Sequence, residues 1–404
     1  MSDARAASVI TGNEAAATAA KLARVQVVAA YPITPQSSVV ETLSKWVQSG
    51  ELSAEFVTVE SEHSALAVCI AASTVGARVF TATSANGLAY MNEQVWWAAG
   101  ARLPIVMGLA NRAMAAPWSV LNDQQDSMSV RDAGWAQLFC RDNQEILDTF
   151  LHAYRIAEEL RVPVMVCYDG FLLSHTVMPV RVPDQAEVDA FLPPYKPAIP
   201  IDPADPRNLN PVTMADPRAN RDGELRGGYM ELRAMHQQAL TEALDLIPAV
   251  DAEFAERFGR SWGGLTWEYR LDDAEVAVIA AGSLGMELTV AVDALRSEGV
   301  RAGVFGIRAY RPFPAEAVRG RLAGKDLAVV LDKAVSYGYE GPVCADVRAA
   351  LLSAEGAPDV FGCVCGLGGR DVSATQLADA VRRARTDHGR GVRIREPEWL
   401  DVRL

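Results

Sequence analysis

From Ala7 to about Val182 the chain alternates short runs that are apolar at nearly every position with longer runs whose apolar residues recur at three and four. The short runs "QVVAAYP", "EFVTVES", "RVFTATSANG", "LPIVMGLANR" and "VPVMVCYDGF" predict strands. The periodic runs "GNEAAATAAKLARV", "PQSSVVETLSKWVQSG", "EHSALAVCIAASTVGA", "LAYMNEQVWWAAGA" and "NQEILDTFLHAYRIAEELR" predict helices, the second opening on a proline and stopping at Gly50. Strands apolar on both faces and separated by helices imply a parallel sheet covered on both sides. A second unit of the same kind begins near Ala274 with "AEVAVIAAGSLGMELTVAVDALRSEGVRAGVFGIRAYRPFP" and repeats the theme through "LAVVLDKAVSYGYEGPVCADVRAALL". Between them the pattern fails. "LPPYKPAIPIDPADPRNLNPVTMADPRANRDG" is too poor in apolar residues to build a core and reads as an extended arm, followed by the helix "YMELRAMHQQALTEALDLIPAVDAEFAERFG". The expectation is an α/β protein with two parallel-sheet domains, 1–192 and 271–404, joined by an arm and helix, 193–270, that wraps a partner subunit.

Ligands of such sheets sit beyond the carboxyl ends of the strands. Thr34, Glu60, Glu62, Ser84–Gly87, Asn111–Arg112 and Asp169–Gly170 all fall at or just after predicted strand ends. In "YPITP" the prolines fix their own φ and push the preceding residue outward, so Thr34 is expected to be extended, with its hydroxyl presented. In "VESEHSA", Glu60 and Glu62 share a strand face, or one of them caps the helix that follows. Arg112 ends an apolar strand, where its planar fork could clamp a carboxylate; otherwise it is a surface arginine paired with Asp123 or Asp126. His63 and His175 fall in loops near these strand ends, whereas His152, His236 and His388 look incidental. The glycine turns "GSLG" and "GLGG" lack the G-x-G-x-x-G spacing and the acidic residue that dinucleotide binding wants, which leaves a nicotinamide site as a weak alternative.

Composition narrows the function classes. A formal charge of −13 excludes non-specific nucleic-acid binding, which needs a basic field. No apolar run is long enough to span a bilayer and no secretory leader precedes the first helix, so a cytoplasmic protein is expected. The six cysteines contain no C-x-x-C pair, which argues against a disulfide framework or a zinc or iron–sulfur site and for buried structural thiols. No metal ligands are assigned to this chain.

Taken in order, "AAYPITPQSSVVETL", "VESEHSAL", "VFTATSANGLAYM", "LPIVMGLANRA", "NDQQDSMSVRDAGW" and "VPVMVCYDGFLLSHTV" resemble the alpha subunit of the pyruvate:ferredoxin oxidoreductase family of thiamine-diphosphate enzymes. "GSLG", "DKAVSYGYEGP" and "GLGGRD" extend the likeness over nearly the whole chain. The resemblance implies a pyrimidine-binding thiamine-diphosphate domain followed by a transketolase C-terminal-like domain. It gives Glu62, with Glu60 as runner-up, the buried carboxyl that hydrogen-bonds the aminopyrimidine. Thr34 and Arg112 become catalytic and substrate-binding residues, with Asn111 beside them, and Pro32, Ser84, Asn86 and Gly87 line the cofactor. The activity implied is oxidative decarboxylation of a 2-oxo acid to an acyl-coenzyme A, with electrons passing to ferredoxin or NAD. No G-D-G motif for diphosphate and Mg2+ occurs, so the resemblance assigns that half-site to a beta subunit and the iron–sulfur clusters to partners such as gamma and ferredoxin-like delta subunits. Gln124, Gln125, Asn86 and Trp118 depart from the pyruvate pattern and are expected to reshape the pocket, which admits an aromatic acid such as phenylglyoxylate. A non-catalytic docking subunit is the alternative.

Overall fold

The computed structural model describes residues 7–196, 229–393 and 395–403. Its first sheet has seven strands in the spatial order Ala309–Arg311, Ala136–Phe139, Val164–Asp169, Val106–Asn111, Val79–Thr83, Val27–Ala29, Glu55–Val57. The second has six, ordered Glu398–Trp399, Asp359–Val364, Leu327–Asp332, Val276–Ala281, Ala302–Ile307, Thr266–Tyr269. The five apolar runs predicted as strands in the first unit are all strands of the first sheet. Alternation along them splits the core into two layers. Val28, Phe80, Val106 and Val166 face the alanine-rich helix Gly12–Leu22 and the helix Asn143–Leu160. Ala29, Val79, Met107 and Met165 face Glu62–Thr74 and Asn92–Gly100. Small residues on these helices let their backbones approach the sheet closely, and Thr11 and Asp142 cap the first pair at their N-termini.

Several short elements depart from the expectation. Each sheet carries one antiparallel edge strand, Ala309–Arg311 against Ala136–Phe139 and Thr266–Tyr269 against Ala302–Ile307. A separate pair, Ser8–Thr11 with Val177–Val180, is also antiparallel. The sheets are therefore mostly, not wholly, parallel. These strands run for three or four residues, and three of them are mostly partly buried or exposed, so they leave little apolar run to read. The expected helix "LAYMNEQVWWAAGA" is two helices, Ala85–Tyr90 and Asn92–Gly100, meeting at Met91. Residues 197–228, which hold most of the expected arm, lie outside the described residues. The helix after it, Tyr229–Phe258, lies along Asn143–Leu160 of its own chain, with the Phe254 ring 4.5 Å from His152 and 5.4 Å from Phe191.

All six cysteines are buried and unpaired, and burial pushes the thiols of Cys69, Cys363 and Cys365 up to about 12. Among the described residues no helix is long and apolar enough to cross a membrane. In the second unit, Asp332 ends its strand fully buried and accepts from Val343 N (2.9 Å) and Cys344 N (3.0 Å) at the start of the helix Pro342–Leu351. Burial outweighs those two donors and raises its carboxyl to about 7, well above the unfolded value.

Between about pH 4 and 7 the folded chain thus holds a proton on Asp332 that the unfolded chain has lost. This contribution to stability is complete below the unfolded pKa and falls as pH rises through the folded one, by up to about 1.4 kcal/mol per unit. The urea stability of wild type minus that of Asp332→Asn, measured from pH 4 to 8, is expected to decline up to about pH 7 and then level off.

Candidate functional site

The first sheet has its switch point between Val27–Ala29 and Val79–Thr83. The chain leaves the first of these strands toward Glu55–Val57 on one side and leaves the second toward Val106–Asn111 on the other. Connections that part in this way leave a crevice at the carboxyl ends. The turn Tyr31–Gln36 borders it on one side, and Ser84–Gly87 and Asn111–Arg112 on the other.

Thr34 is exposed in this turn, between a buried Pro35 and an exposed Pro32. Gln36 N donates to Ile33 O at 2.9 Å, closing a turn around Thr34 and Pro35. Hydrogen bonds pin the backbone as much as the prolines do. Asn13 Nδ2, fully buried, donates to Pro35 O at 2.7 Å, and Gln36 Nε2 donates to Tyr31 O at 2.8 Å. Arg112 Nη1 donates to Thr34 O at 2.7 Å. The Arg112 side chain is buried, and its Nε has no partner. Thr34 and Arg112 are therefore brought together, and neither Asp123 nor Asp126 takes the guanidinium.

The two glutamates separate cleanly. Glu60 is exposed, and the Ser64 hydroxyl holds its carboxyl below the ordinary value. Glu62 is 8% exposed and is the first residue of its helix, with Ser61 as the cap. Its carboxylate lies against Gly87, where an added Cβ would stand 2.8 Å from Glu62 Oε1 and closer still to Thr83 Oγ1. No described residue hydrogen-bonds that carboxylate. Ser84–Gly87, just past its strand end, is the entry to the short helix Ala85–Tyr90, whose first residue adopts φ +41°. The hydroxyls of Thr83 and Ser84 are buried there without partners. Asn86 is half-buried and accepts from Ala115 N at 3.1 Å. Asn111 is buried, with Nδ2 committed to Asp126 Oδ1 (2.7 Å) and Oδ1 unpartnered. His63 lies in the helix after Glu62, its Nε2 2.9 Å from Gln94, whereas His175 lies in a turn, as expected, and stacks on Phe171.

The residue missed in the sequence is Asp126. It is fully buried and accepts from Ala85 N, Arg112 N, Asn111 Nδ2 and Ser127 N. Burial raises its carboxyl to about 7 against the pull of those donors. Its neighbours turn the other way, toward the second sheet. Gln124 Nε2 donates to Ala281 O (3.2 Å) and Gln125 Oε1 accepts from Val335 N (3.0 Å), so these glutamines join the two units rather than line the crevice. Asp123 Oδ2 accepts from Gly368 N (3.0 Å), and Asn122 O from Gly369 N (2.7 Å). The "GLGG" turn is thus filled by its own chain. Asp169, at the end of its strand, takes Lys333 Nζ at 2.8 Å and the hydroxyl of Ser283 from "GSLG".

Beside this clasp lies a cavity of about 440 Å³ lined by Leu172, Ser283, Met286, Lys333, Gly366 and Val372, among others. A second, of about 560 Å³, lies at Trp96, Arg131 and Arg311. Neither includes Thr34, Glu62 or Arg112. The crevice itself opens to solvent, and on the connections around it Tyr31, Tyr90 and Trp118 are exposed, the last by 70%.

Residues 18–240, which include this crevice, match the family model described as pyruvate flavodoxin/ferredoxin oxidoreductase, thiamine diphosphate-binding. The chain belongs to this family. Residues 274–377 match the pyruvate:ferredoxin oxidoreductase core domain II. Among curated relatives, pyruvate synthase subunit PorA of Methanothermobacter thermautotrophicus is 45% identical over 377 residues, covering 93% of this chain and 94% of the relative. Ketoisovalerate oxidoreductase subunit VorA of Pyrococcus horikoshii is 42% identical, covering 98% of each. Among solved structures, 2-oxoglutarate:ferredoxin oxidoreductase from Magnetococcus marinus, with 2-oxoglutarate, coenzyme A and succinyl-CoA bound, matches with a TM-score of 0.68 at 18% identity. The match covers 94% of this chain but 65% of that longer one. A split gene transketolase, described as an inactive beta4 tetramer, matches with a TM-score of 0.54 at 14% identity, covering 94% of this chain and 99% of that one. Both likenesses are of fold: α/β with two mostly parallel sheets. In this family member the crevice is bounded by Thr34, Glu62, Gly87 and Arg112, and the "NDQQDS" segment braces it against the second unit.

The Asp169–Lys333 pair is buried on both sides, so removing one partner strands the other charge. Lys333→Met is expected to cost about 3–5 kcal/mol in urea titration, and adding Asp169→Asn to recover part of that loss.

Proposed function

We propose that this chain is the alpha subunit of a 2-oxo acid:ferredoxin oxidoreductase and forms the pyrimidine-side half of its thiamine-diphosphate site. The observation that carries the reading is the buried Glu62 carboxylate, hydrogen-bonded by no described residue and backed by a glycine. The residues present fit the aminopyrimidine end of the cofactor. Gly87 leaves bare backbone where a side chain would intrude, and the unpartnered Ser84 and Thr83 hydroxyls offer polar contacts. When bound, thiamine diphosphate supplies the carbon nucleophile for the 2-oxo carbon and the electron sink for loss of carbon dioxide. Glu62 would meet the aminopyrimidine ring nitrogen and share a hydrogen bond with it. Arg112 offers its spare guanidinium donors to the carboxylate of the acid, and Thr34, whose backbone oxygen the same arginine holds, would meet the acid or its adduct through its hydroxyl. Asn111 Oδ1, Asn86 and Pro32 complete the lining.

Pyruvate is the proposed substrate and ketoisovalerate the second, following the names of the two relatives above. Phenylglyoxylate and NAD gain no support from those names, and Gln124 and Gln125, two of the residues thought to reshape the pocket, are spent on the second unit. Coenzyme A takes the acyl group and ferredoxin the two electrons. The solvent-open crevice and the exposed aromatic residues around it support closure by a beta subunit carrying the diphosphate and Mg2+ half-site, with iron–sulfur clusters on gamma and delta partners. We retain the divisions 1–192, 193–270 and 271–404 and a cytoplasmic location as parts of this proposal.

In the assembled complex assayed with pyruvate, coenzyme A and oxidised ferredoxin, Glu62→Gln is expected to lower kcat by about 10²-fold or more, and Glu60→Gln to leave it near wild type. Full turnover by Glu62→Gln would instead favour a docking subunit.

A further inference from the structure

The inner strands of the crevice, Val79–Thr83 and Val106–Asn111, pair in register only as far as Thr83 with Leu109. Beyond that point they diverge, one into Ala85 and the cofactor wall, the other into Arg112 and the acid wall. One residue spans the gap. Asp126 Oδ2 accepts from Ala85 N and from Arg112 N, each at 3.0 Å. Asp126 Oδ1 accepts from Asn111 Nδ2 at 2.7 Å and Ser127 N at 2.8 Å. We propose that Asp126 is a positioning residue for the reaction, setting the spacing between the wall that meets the cofactor and the wall that meets the 2-oxo acid. This rests on the reading of the site given above.

All four groups that meet the Asp126 carboxyl are N–H donors, and its two oxygens offer about four lone-pair sites to receive them. Ala85 needs the support, because φ +41° is a left-handed conformation that alanine rarely adopts. Two residues on, Gly87 meets Glu62. On the other wall, Asp126 holds the backbone of Arg112, whose side chain reaches Thr34. The sheet does not need Asp126 for its ladder, which is complete before Ala85 and Arg112 begin. A carboxylate buried at this point serves geometry at the strand ends.

Asp126→Asn keeps the shape but points an amide NH2 at one of the two donor pairs. In the reconstituted complex this variant is expected to assemble, to raise the pyruvate KM about 10-fold, and to lower kcat about 10-fold. Adding Ala85→Gly, which adopts the left-handed conformation unaided, should restore kcat several-fold while KM stays high, because only the cofactor wall is relieved. A carboxylate that merely stabilised the fold would not give that split. Wild-type kcat and KM in Asp126→Asn overturn the proposal, as does failure to assemble with or without Ala85→Gly, or recovery of both constants together. Glu62→Gln run alongside keeps the two readings apart: active Glu62→Gln overturns the site itself, whereas inactive Glu62→Gln with a wild-type Asp126→Asn overturns only this inference.

Discussion

Where two parallel strands part, their last backbone donors lose the ladder that satisfied them, and a buried donor left alone is costly. In this chain that constraint falls at Thr83 and Leu109, and a single carboxylate meets it. Much else in the first unit follows. Ala85 can open its helix in an awkward conformation, Gly87 can come up against Glu62, and Arg112 can turn its guanidinium back to the Thr34 turn. The polar edges of the crevice are satisfied from behind by Asp126 and Asn13, and across it by Arg112, whose guanidinium meets Thr34 O.

The segment Asn122–Ser127 has two faces. Asp126 and Ser127 look into the first sheet, while Asn122 to Gln125 hold strand ends of the second. Together with Asp169 and Lys333 they fix the second unit to the back of the site. The glycine turns "GSLG" and "GLGG" find their use here. The Gly368 N–H of "GLGG" and the Ser283 hydroxyl of "GSLG" each donate to an aspartate of the same chain, in the way such turns elsewhere receive phosphate oxygens.

Much of this was legible in the sequence, for identifiable reasons. Long apolar runs gave the central strands because those strands are buried on both faces, and strand ends gave Thr34, Glu62, Gly87 and Arg112 because ligands of parallel sheets gather there. Edge strands such as Thr266–Tyr269 escaped because one side faces solvent and little apolar signal remains. Position alone separates Glu60 from Glu62 poorly, since a spacing of two says nothing about where a strand stops and a helix begins; the structure exposes the first and buries the second. Asp126 looked like an ordinary aspartate beside Asp123. Its importance comes from three donors that lie 14 to 41 residues away, a pairing that periodicity cannot express.

The six cysteines have a practical consequence. Each thiol is buried, and burial keeps it in the protonated, unreactive form. Thiol-directed reagents therefore find no exposed native cysteine on the folded chain. A single cysteine introduced on the surface, for instance in place of exposed Trp118, could carry a spectroscopic label with the native sulfurs left in place, so that closure of the crevice by an incoming subunit could be followed directly.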